Sequence, residues 1–284
     1  MEGIGLVDGK FVELDEYVVP IEDRGHQLGD GVYEAVLVYG GKPFLVVEHM
    51  ERIFKSASMI KIDIPYTLEE LVKFHLQLVE KTGLKEALIY SQFTRGIAPR
   101  KHAFPQGIKP RLSMTIRPWT KLDPYLKANG AKAILVPDER WLKCNIKSLN
   151  LLGNVLAKQT AHENGCFEAI MYRDGFITEG ANSNVFVIKD NVIHTAPTDN
   201  KILAGITRST ILKFAREFNY VVKEEAVTPD FILNADEVFL TGTTTEVMPV
   251  VSINNQKIGD GKVGPITRKL HDAYMNKIQR ECYV

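Results

Sequence analysis

Four short polar turns, Asp8-Gly9, Gly40-Gly41, Asp174-Gly175 and Asp190-Asn191, each separate two apolar, β-branched segments. Two-residue loops of this composition supply the positive φ angles of a tight hairpin, so the strands they join are antiparallel neighbours. Residues 31–39 alternate, with Tyr33, Ala35 and Leu37 on one face and Val32, Glu34, Val36 and Val38 on the other. Further strands are predicted over 87–94, 111–116, 131–136, 167–172, 176–178, 184–188, 192–195 and 237–241. Helical spacing predicts helices over 48–60, 67–81, 149–164 and 206–218, and another from about Pro265 onward. The stripe of the third is Leu152, Val155, Leu156 and Ala161. Strands joined mostly by hairpins, with helices between, argue for an α+β fold and against a doubly wound parallel sheet. Two prolines break residues 117–124, which suggests domains at 1–118 and 119–284.

Composition narrows the function class. The chain has 284 residues, 45 % hydrophobic and 25 % charged, and its 35 basic residues balance its 35 acidic ones. No long-range field recruits nucleic acid or an anionic membrane, so anion binding must be local. The first residues lack a basic segment followed by an apolar one, no apolar run is long enough to span a bilayer, and a cytoplasmic location is expected. Three cysteines without a C-x-x-C pair fit free thiols in a reducing compartment. Scattered histidines give no metal-ligand spacing, and no metal is expected.

The chemistry concentrates in Glu179-Gly-Ala-Asn-Ser-Asn-Val-Phe186 and Leu203-Ala-Gly-Ile-Thr-Arg208. The first offers a carboxylate at the head of an apolar strand. The second opens a helix at Ile206, where the backbone N–H groups of Ile206 and Thr207 suit a phosphate. One ligand needs both a partner for a ring nitrogen and a phosphate cradle: pyridoxal 5'-phosphate. It also needs a lysine for its aldehyde, and Lys147 lies in Trp141-Leu-Lys-Cys-Asn-Ile-Lys-Ser-Leu-Asn150, with Lys143 as its local rival.

These elements together resemble the signature of class IV aminotransferases: E-x-A-x-x-N-V-F, the spaced Ile193-x-Thr195 and L-x-G-I-x-R. The lysine region and Arg95-Gly-Ile-Ala-Pro-Arg-Lys-His-Ala-Phe104 resemble the D-amino acid branch of that family. The resemblance runs from Asp23-Arg-Gly-His-Gln-Leu-Gly-Asp-Gly-Val-Tyr-Glu34 to Gly261-Lys-Val-Gly264. It implies fold type IV, with a smaller N-terminal α/β sandwich and a larger β-barrel-like C-terminal domain, and cofactor at their boundary. It puts the cofactor's aldehyde on Lys147 and its ring nitrogen on Glu179. Arg52, Asn182, Leu203, Ile206, Thr207, Gly242 and Thr243 are the other implied cofactor contacts. Gly242 and Asn182 depart from the pattern, each standing where the family has serine. It further implies a homodimer whose loop 95–110 reaches the neighbouring site, where Arg100 and His102 join Tyr33 on the substrate carboxylate. Substrates would be D-amino acids such as D-alanine and D-glutamate, with 2-oxo acids such as 2-oxoglutarate and pyruvate. The alternatives are a branched-chain L-amino acid aminotransferase, an aminodeoxychorismate lyase, or a binding protein without chemistry.

Overall fold

The computed structural model describes residues 3–283. Its chain forms two compact units. The first holds the chain up to Thr120, together with Ile146–Asn150 and the end from Ile278; the second holds Lys121–Asn145 and Leu151–Lys277. The sequence suggested one contiguous cut at 118/119, whereas the chain in fact returns to the first unit for the short segment that contains Lys147.

The first unit contains β1 (Ile4–Val7), β2 (Lys10–Val12), α1 (Arg24–Leu28), β3 (Gly31–Tyr39), β4 (Lys42–Pro43), α2 (Val46–Met59), α3 (Leu68–Thr82), β5 (Ala87–Thr94) and β6 (Arg111–Pro118). Its sheet runs β2-β1-β6-β5-β3-β4. Every neighbouring pair is antiparallel. A single apolar layer formed by Val36, Ile89, Ile116, Met50, Ile53 and Leu78 joins the sheet to α2 and α3. Helix α3 has the sequence's own stops: Thr67 and Glu70 form a reciprocal capping box, and Gly83 closes the far end in the left-handed region at φ 67°.

The second unit contains α4 (Pro124–Asn129), β7 (Ala131–Pro137), α5 (Leu152–Glu163), β8 (Glu168–Arg173), β9 (Phe176–Gly180), β10 (Asn184–Lys189) and β11 (Val192–Thr195). It continues with α6 (Ile206–Glu217), β12 (Val221–Lys223), α7 (Pro229–Leu233), β13 (Glu237–Gly242), β14 (Glu246–Ile253) and β15 (Gln256–Lys257). The last helix is α8 (Pro265–Cys282). The sheet order is β12-β11-β10-β13-β14-β7-β8-β9, with β15 against β14. Strands β9 and β10 are five places apart in that order, yet only residues 181–183 separate them in sequence. Four Cα steps of about 3.8 Å reach roughly 15 Å, while five flat strand spacings of about 4.8 Å span roughly 24 Å. The sheet therefore curls back on itself, and the barrel-like character follows from that short link. Together the two sheets and their helices make an α+β fold. Among the described residues no helix is long and apolar enough to cross a membrane.

Two expectations change here. Helix α5 starts at Leu152 and not at Leu149, and of its expected stripe only Ala161 is buried: Leu152, Val155 and Leu156 are 71 %, 57 % and 58 % exposed. The buried face is carried by Ala157 and Ala161, whose small side chains let the helix lie close to β8. Strand β14 escaped the periodicity because Pro249 interrupts it, and proline is rare inside a sheet. It sits opposite Phe239, beside the register shift between Val250 and Ser252.

Candidate active site

In the first unit, alternation along β3 separates two sets of side chains. Val32, Glu34, Val36 and Val38 are buried, while Tyr33 and Ala35 are half-buried. Residues 146–150 lie along the start of this strand almost as another strand. Ser148 makes an antiparallel bridge with Val32. The Tyr33 N–H donates to the Lys147 carbonyl at 3.0 Å, and the Leu149 N–H donates to the Gly31 carbonyl at 3.1 Å. The Lys147 N–H donates to Ser56 Oγ at 3.2 Å. This backbone grip holds Lys147 Nζ 4.4 Å from the centre of the Tyr33 ring, a cation–π distance. Tyr33 itself stacks on Tyr90 with centroids 5.6 Å apart. Lys143, by contrast, is exposed.

Behind Tyr33, Glu34 is fully buried. Arg52 Nε donates to its Oε1 at 2.6 Å and Arg52 Nη2 to its Oε2 at 2.9 Å. His49 Nδ1 contacts Oε2 at 2.7 Å. Burial alone would raise the Glu34 carboxyl, but the Arg52 charge and the His49 contact reverse this and hold it well below the usual carboxylate range. Burial lowers the proton affinity of His49 more than Glu34 raises it. Arg52, a sequence candidate for phosphate, is thus oriented by Glu34. Arg100 and His102 are exposed on the loop 95–110. Among the described residues neither makes a hydrogen bond or ion pair with Tyr33 or Lys147.

In the second unit, Glu179 lies at the end of β9, 5 % exposed. Its two oxygens are held from different sides. Arg140 Nη1 donates to Oε1 at 2.6 Å. Asn184 Nδ2 and the Leu203 N–H each donate to Oε2 at 3.0 Å. Arg140 is itself gripped by Asp138, through Nε at 2.9 Å and Nη2 at 2.8 Å. The Thr178 hydroxyl donates to the same carboxylate at 2.8 Å, and Arg173 approaches it at 3.1 Å. Burial pushes the Glu179 carboxyl up to about 7 against the pull of Arg140. Arg140 and Asn184 were given no role from sequence. Asn184 is the N of the E-x-A-x-x-N-V-F element, so its signal was present; the Arg140 contact spans 39 residues of chain and left none.

The start of α6 has no side-chain cap, since Gly205 occupies the N-cap position. A Cβ at Gly205 would fall 2.0 Å from Asn184 Oδ1, so the glycine is what lets this helix start approach Asn184. Asn184 Nδ2 also donates to the Leu203 carbonyl at 2.9 Å. One asparagine thereby ties Glu179, Leu203 and the helix start together. The Thr207 hydroxyl is buried 3.4 Å from that of Tyr274. Gly242 and Thr243 are half-buried and begin the turn from β13 to β14, while Asn182 is exposed. A Cβ at Gly242 would lie 3.2 Å from the Asn182 carbonyl and 3.3 Å from Thr245 Oγ1, a close fit that small shifts of these neighbours would have to accommodate. These donors suit the parts of pyridoxal phosphate: a buried carboxylate with fixed oxygens, an uncapped twelve-residue helix, and a lysine held by its backbone.

A family model described as amino-transferase class IV matches residues 31–253. A D-alanine aminotransferase of Bacillus licheniformis is 47 % identical over 276 residues, covering 97 % of both chains. The corresponding protein of Staphylococcus haemolyticus is 45 % identical over 275 residues, 96 % of this chain and 97 % of that one. Among solved structures, a branched-chain aminotransferase of Thermoproteus uzoniensis, determined with norvaline, superposes with a TM-score of 0.90 at 29 % identity. It covers 98 % of this chain and 95 % of that one. The branched-chain enzyme of Escherichia coli gives a TM-score of 0.89 at 26 % identity, covering 97 % and 94 %. With a match over most of its length and relatives this similar end to end, the chain belongs to the class IV aminotransferase family.

Proposed function

We propose that this aminotransferase uses pyridoxal 5'-phosphate to move amino groups between D-amino acids, such as D-alanine and D-glutamate, and 2-oxo acids, such as 2-oxoglutarate and pyruvate. The observation that carries the reading is the exposed Arg100-x-His102 pair, in a chain 47 % identical to a D-alanine aminotransferase.

When bound, pyridoxal phosphate supplies an aldehyde that captures amines and a ring that accepts the electron pair released at the substrate α-carbon. Lys147 Nζ would hold the aldehyde and, once released from it, would carry the α-proton. Its cation–π contact with Tyr33 sets where that nitrogen points. Glu179, fixed by Arg140, Asn184 and Leu203, would accept the hydrogen bond of the ring nitrogen and favour its protonated form. Ile206 and Thr207 at the start of α6 would hold the phosphate with Arg52, Gly242 and Thr243, and Leu203 and Asn182 would complete the cofactor contacts. Tyr33 with Arg100 and His102 binds the substrate carboxylate, Arg100 through a charge-assisted fork. In this reading the protein is a homodimer, and the loop 95–110 of one protomer serves the partner's site. Fixing carboxylate, phosphate and lysine leaves one orientation for the α-hydrogen, and selection for the D enantiomer follows from positioning.

The structural likeness to branched-chain enzymes favours one rival, an L-branched-chain aminotransferase. Assays with D-alanine, L-alanine, L-valine and L-leucine against 2-oxoglutarate decide between them. Turnover of D-alanine is expected. Turnover of L-valine or L-leucine without D-alanine overturns the reading.

A further inference from the structure

The Asp23-Arg-Gly-His-Gln-Leu-Gly-Asp30 stretch carries family resemblance but no role in the reaction described so far. It folds as α1 with its two caps, and both of its charged ends turn toward the loop 95–110. Arg24 is 2 % exposed. Its Nε donates to Asp30 Oδ2 at 2.8 Å, and its Nη1 donates to the Lys101 carbonyl at 2.6 Å. Arg95 is also buried and takes the same carboxylate as a fork, Nε to Oδ2 at 2.8 Å and Nη2 to Oδ1 at 3.0 Å. Its remaining N–H groups donate to the Lys61 and Ile60 carbonyls at 2.9 and 2.7 Å. The outer face of the same guanidinium lies 3.6 Å from the Phe104 ring centre, beyond Arg100 and His102 in the loop.

Backbone contacts complete the base of this arm. The Arg24 N–H donates to the Gly96 carbonyl at 3.0 Å, and the Ala98 N–H to the Glu22 carbonyl at 3.2 Å. Gly96, at φ +119°, forms the neck: a Cβ there would sit 2.2 Å from the Lys109 carbonyl, so only glycine lets the two limbs close together.

We propose that Arg24, Asp30 and Arg95 are positioning residues for substrate binding, their buried ion cluster holding the arm in shape so that Arg100 and His102 stand ready at its crest. This rests on the carboxylate-binding reading of Arg100 and His102. A long loop without regular structure is otherwise costly to order at the moment of binding. Two arginines are suited to the task because a guanidinium satisfies a carboxylate and several backbone carbonyls at once, which lysine cannot do. Joining the ends of β3 and β5 requires only Asp30 and Arg95. The reach of Arg24 to Lys101, which lies between Arg100 and His102, and of Arg95 to Phe104, two residues past His102, goes further into the loop.

The test uses three variants of the full enzyme. Phe104 is 53 % exposed, so Phe104→Ala removes the ring contact without opening the core. Arg24→Lys keeps a charge beside Asp30 but loses the hydrogen bond to the Lys101 carbonyl. Arg100→Ala tests the carboxylate reading by itself. Phe104→Ala and Arg24→Lys are expected to raise KM for D-alanine and 2-oxoglutarate about tenfold or more, with kcat near the native value, as misplacement of a binding group does. Trypsin, added with or without cofactor, should cut after Arg100 and Lys101 faster than in the native protein. Native KM and native cleavage in both variants, with Arg100→Ala still impaired, overturns the positioning role and leaves the carboxylate reading standing. A native KM in Arg100→Ala overturns the carboxylate reading, and the positioning role falls with it. If Arg24→Lys does not fold, Phe104→Ala decides alone.

Discussion

Glu179 is under two opposing influences: burial pushes its carboxyl up to about 7, and Arg140 pulls it down. The charged form, which attracts a protonated ring nitrogen, is therefore lost as pH falls below about 7. Affinity of the cofactor-free protein for pyridoxal phosphate should weaken over that range, and Glu179→Gln should be weaker at neutral pH with this component of the pH dependence removed. Titrations in parallel check it; equal pH dependence in the two proteins would count against the role. Turnover of Glu179→Gln should fall about 10²–10⁴-fold, the scale of proton-transfer effects. Lys147→Ala should abolish turnover with native circular dichroism, and borohydride should fix cofactor to Lys147 in the native enzyme. Reduction onto Lys143 would reject the assignment. Glu34 gives a stability prediction. Its folded proton affinity is depressed well below the usual 4.5, so its contribution is fully present above that pH and is lost progressively below it, as pH falls toward the depressed folded value. Glu34→Gln leaves Arg52 without its buried partner and should cost about 3–5 kcal/mol near neutrality. That gap in unfolding free energy should shrink on acidification, and a constant gap from neutral to strongly acid pH would refute the account. Motif context singled out Lys147, Glu179 and Tyr33, and the structure sets Lys147 against the Tyr33 ring and buries Glu179. Arg140 was not singled out, because its partner is distant in sequence.

At the level of elements, the junction of β10 and α6 depends on the absence of one side chain. Gly205→Ala would place a methyl group 2.0 Å from Asn184 Oδ1 and push that asparagine away from Glu179 and Leu203. A buried polar group left unpaired costs about 1–3 kcal/mol. Thermal unfolding and cofactor retention should both fall in this variant; unchanged values in both would show that the junction relaxes freely. Hairpins were the most legible elements, because Asp8-Gly9, Gly40-Gly41 and Asp174-Gly175 fix their chain reversals locally. Helix α5 shows what local pattern misses. Its large apolar residues suggested the buried side, yet the packed face is made of alanines, since closeness to β8 and not bulk sets the contact. The parallel pairings of β7 with β8 and with β14 were equally hidden, being set by long connections.

On the scale of the whole molecule, the proposed dimer makes a prediction that no single chain can satisfy. Arg100→Ala should raise KM strongly, since a charge-assisted contact is worth about 1.5–3 kcal/mol. Mixing that variant with Lys147→Ala, after exchange of subunits, should restore native KM at one site of each mixed dimer, which regains both the lysine and an intact arm. No recovery on mixing would confine the arm to its own protomer. The α+β class followed from turns alone, whereas the curl of the larger sheet needed the position of β9, a fact of topology. The strap Ile146–Asn150 has a practical bearing on anyone cutting or grafting this protein. A fragment ending at Thr120 keeps Tyr33, Ser56 and the arm but lacks Lys147. One beginning at Lys121 keeps Lys147 but lacks the strand edge and hydroxyl that hold it. Neither contiguous piece keeps Lys147 in its place, and a chimera that exchanges the first unit must also transplant the strap from the middle of the other.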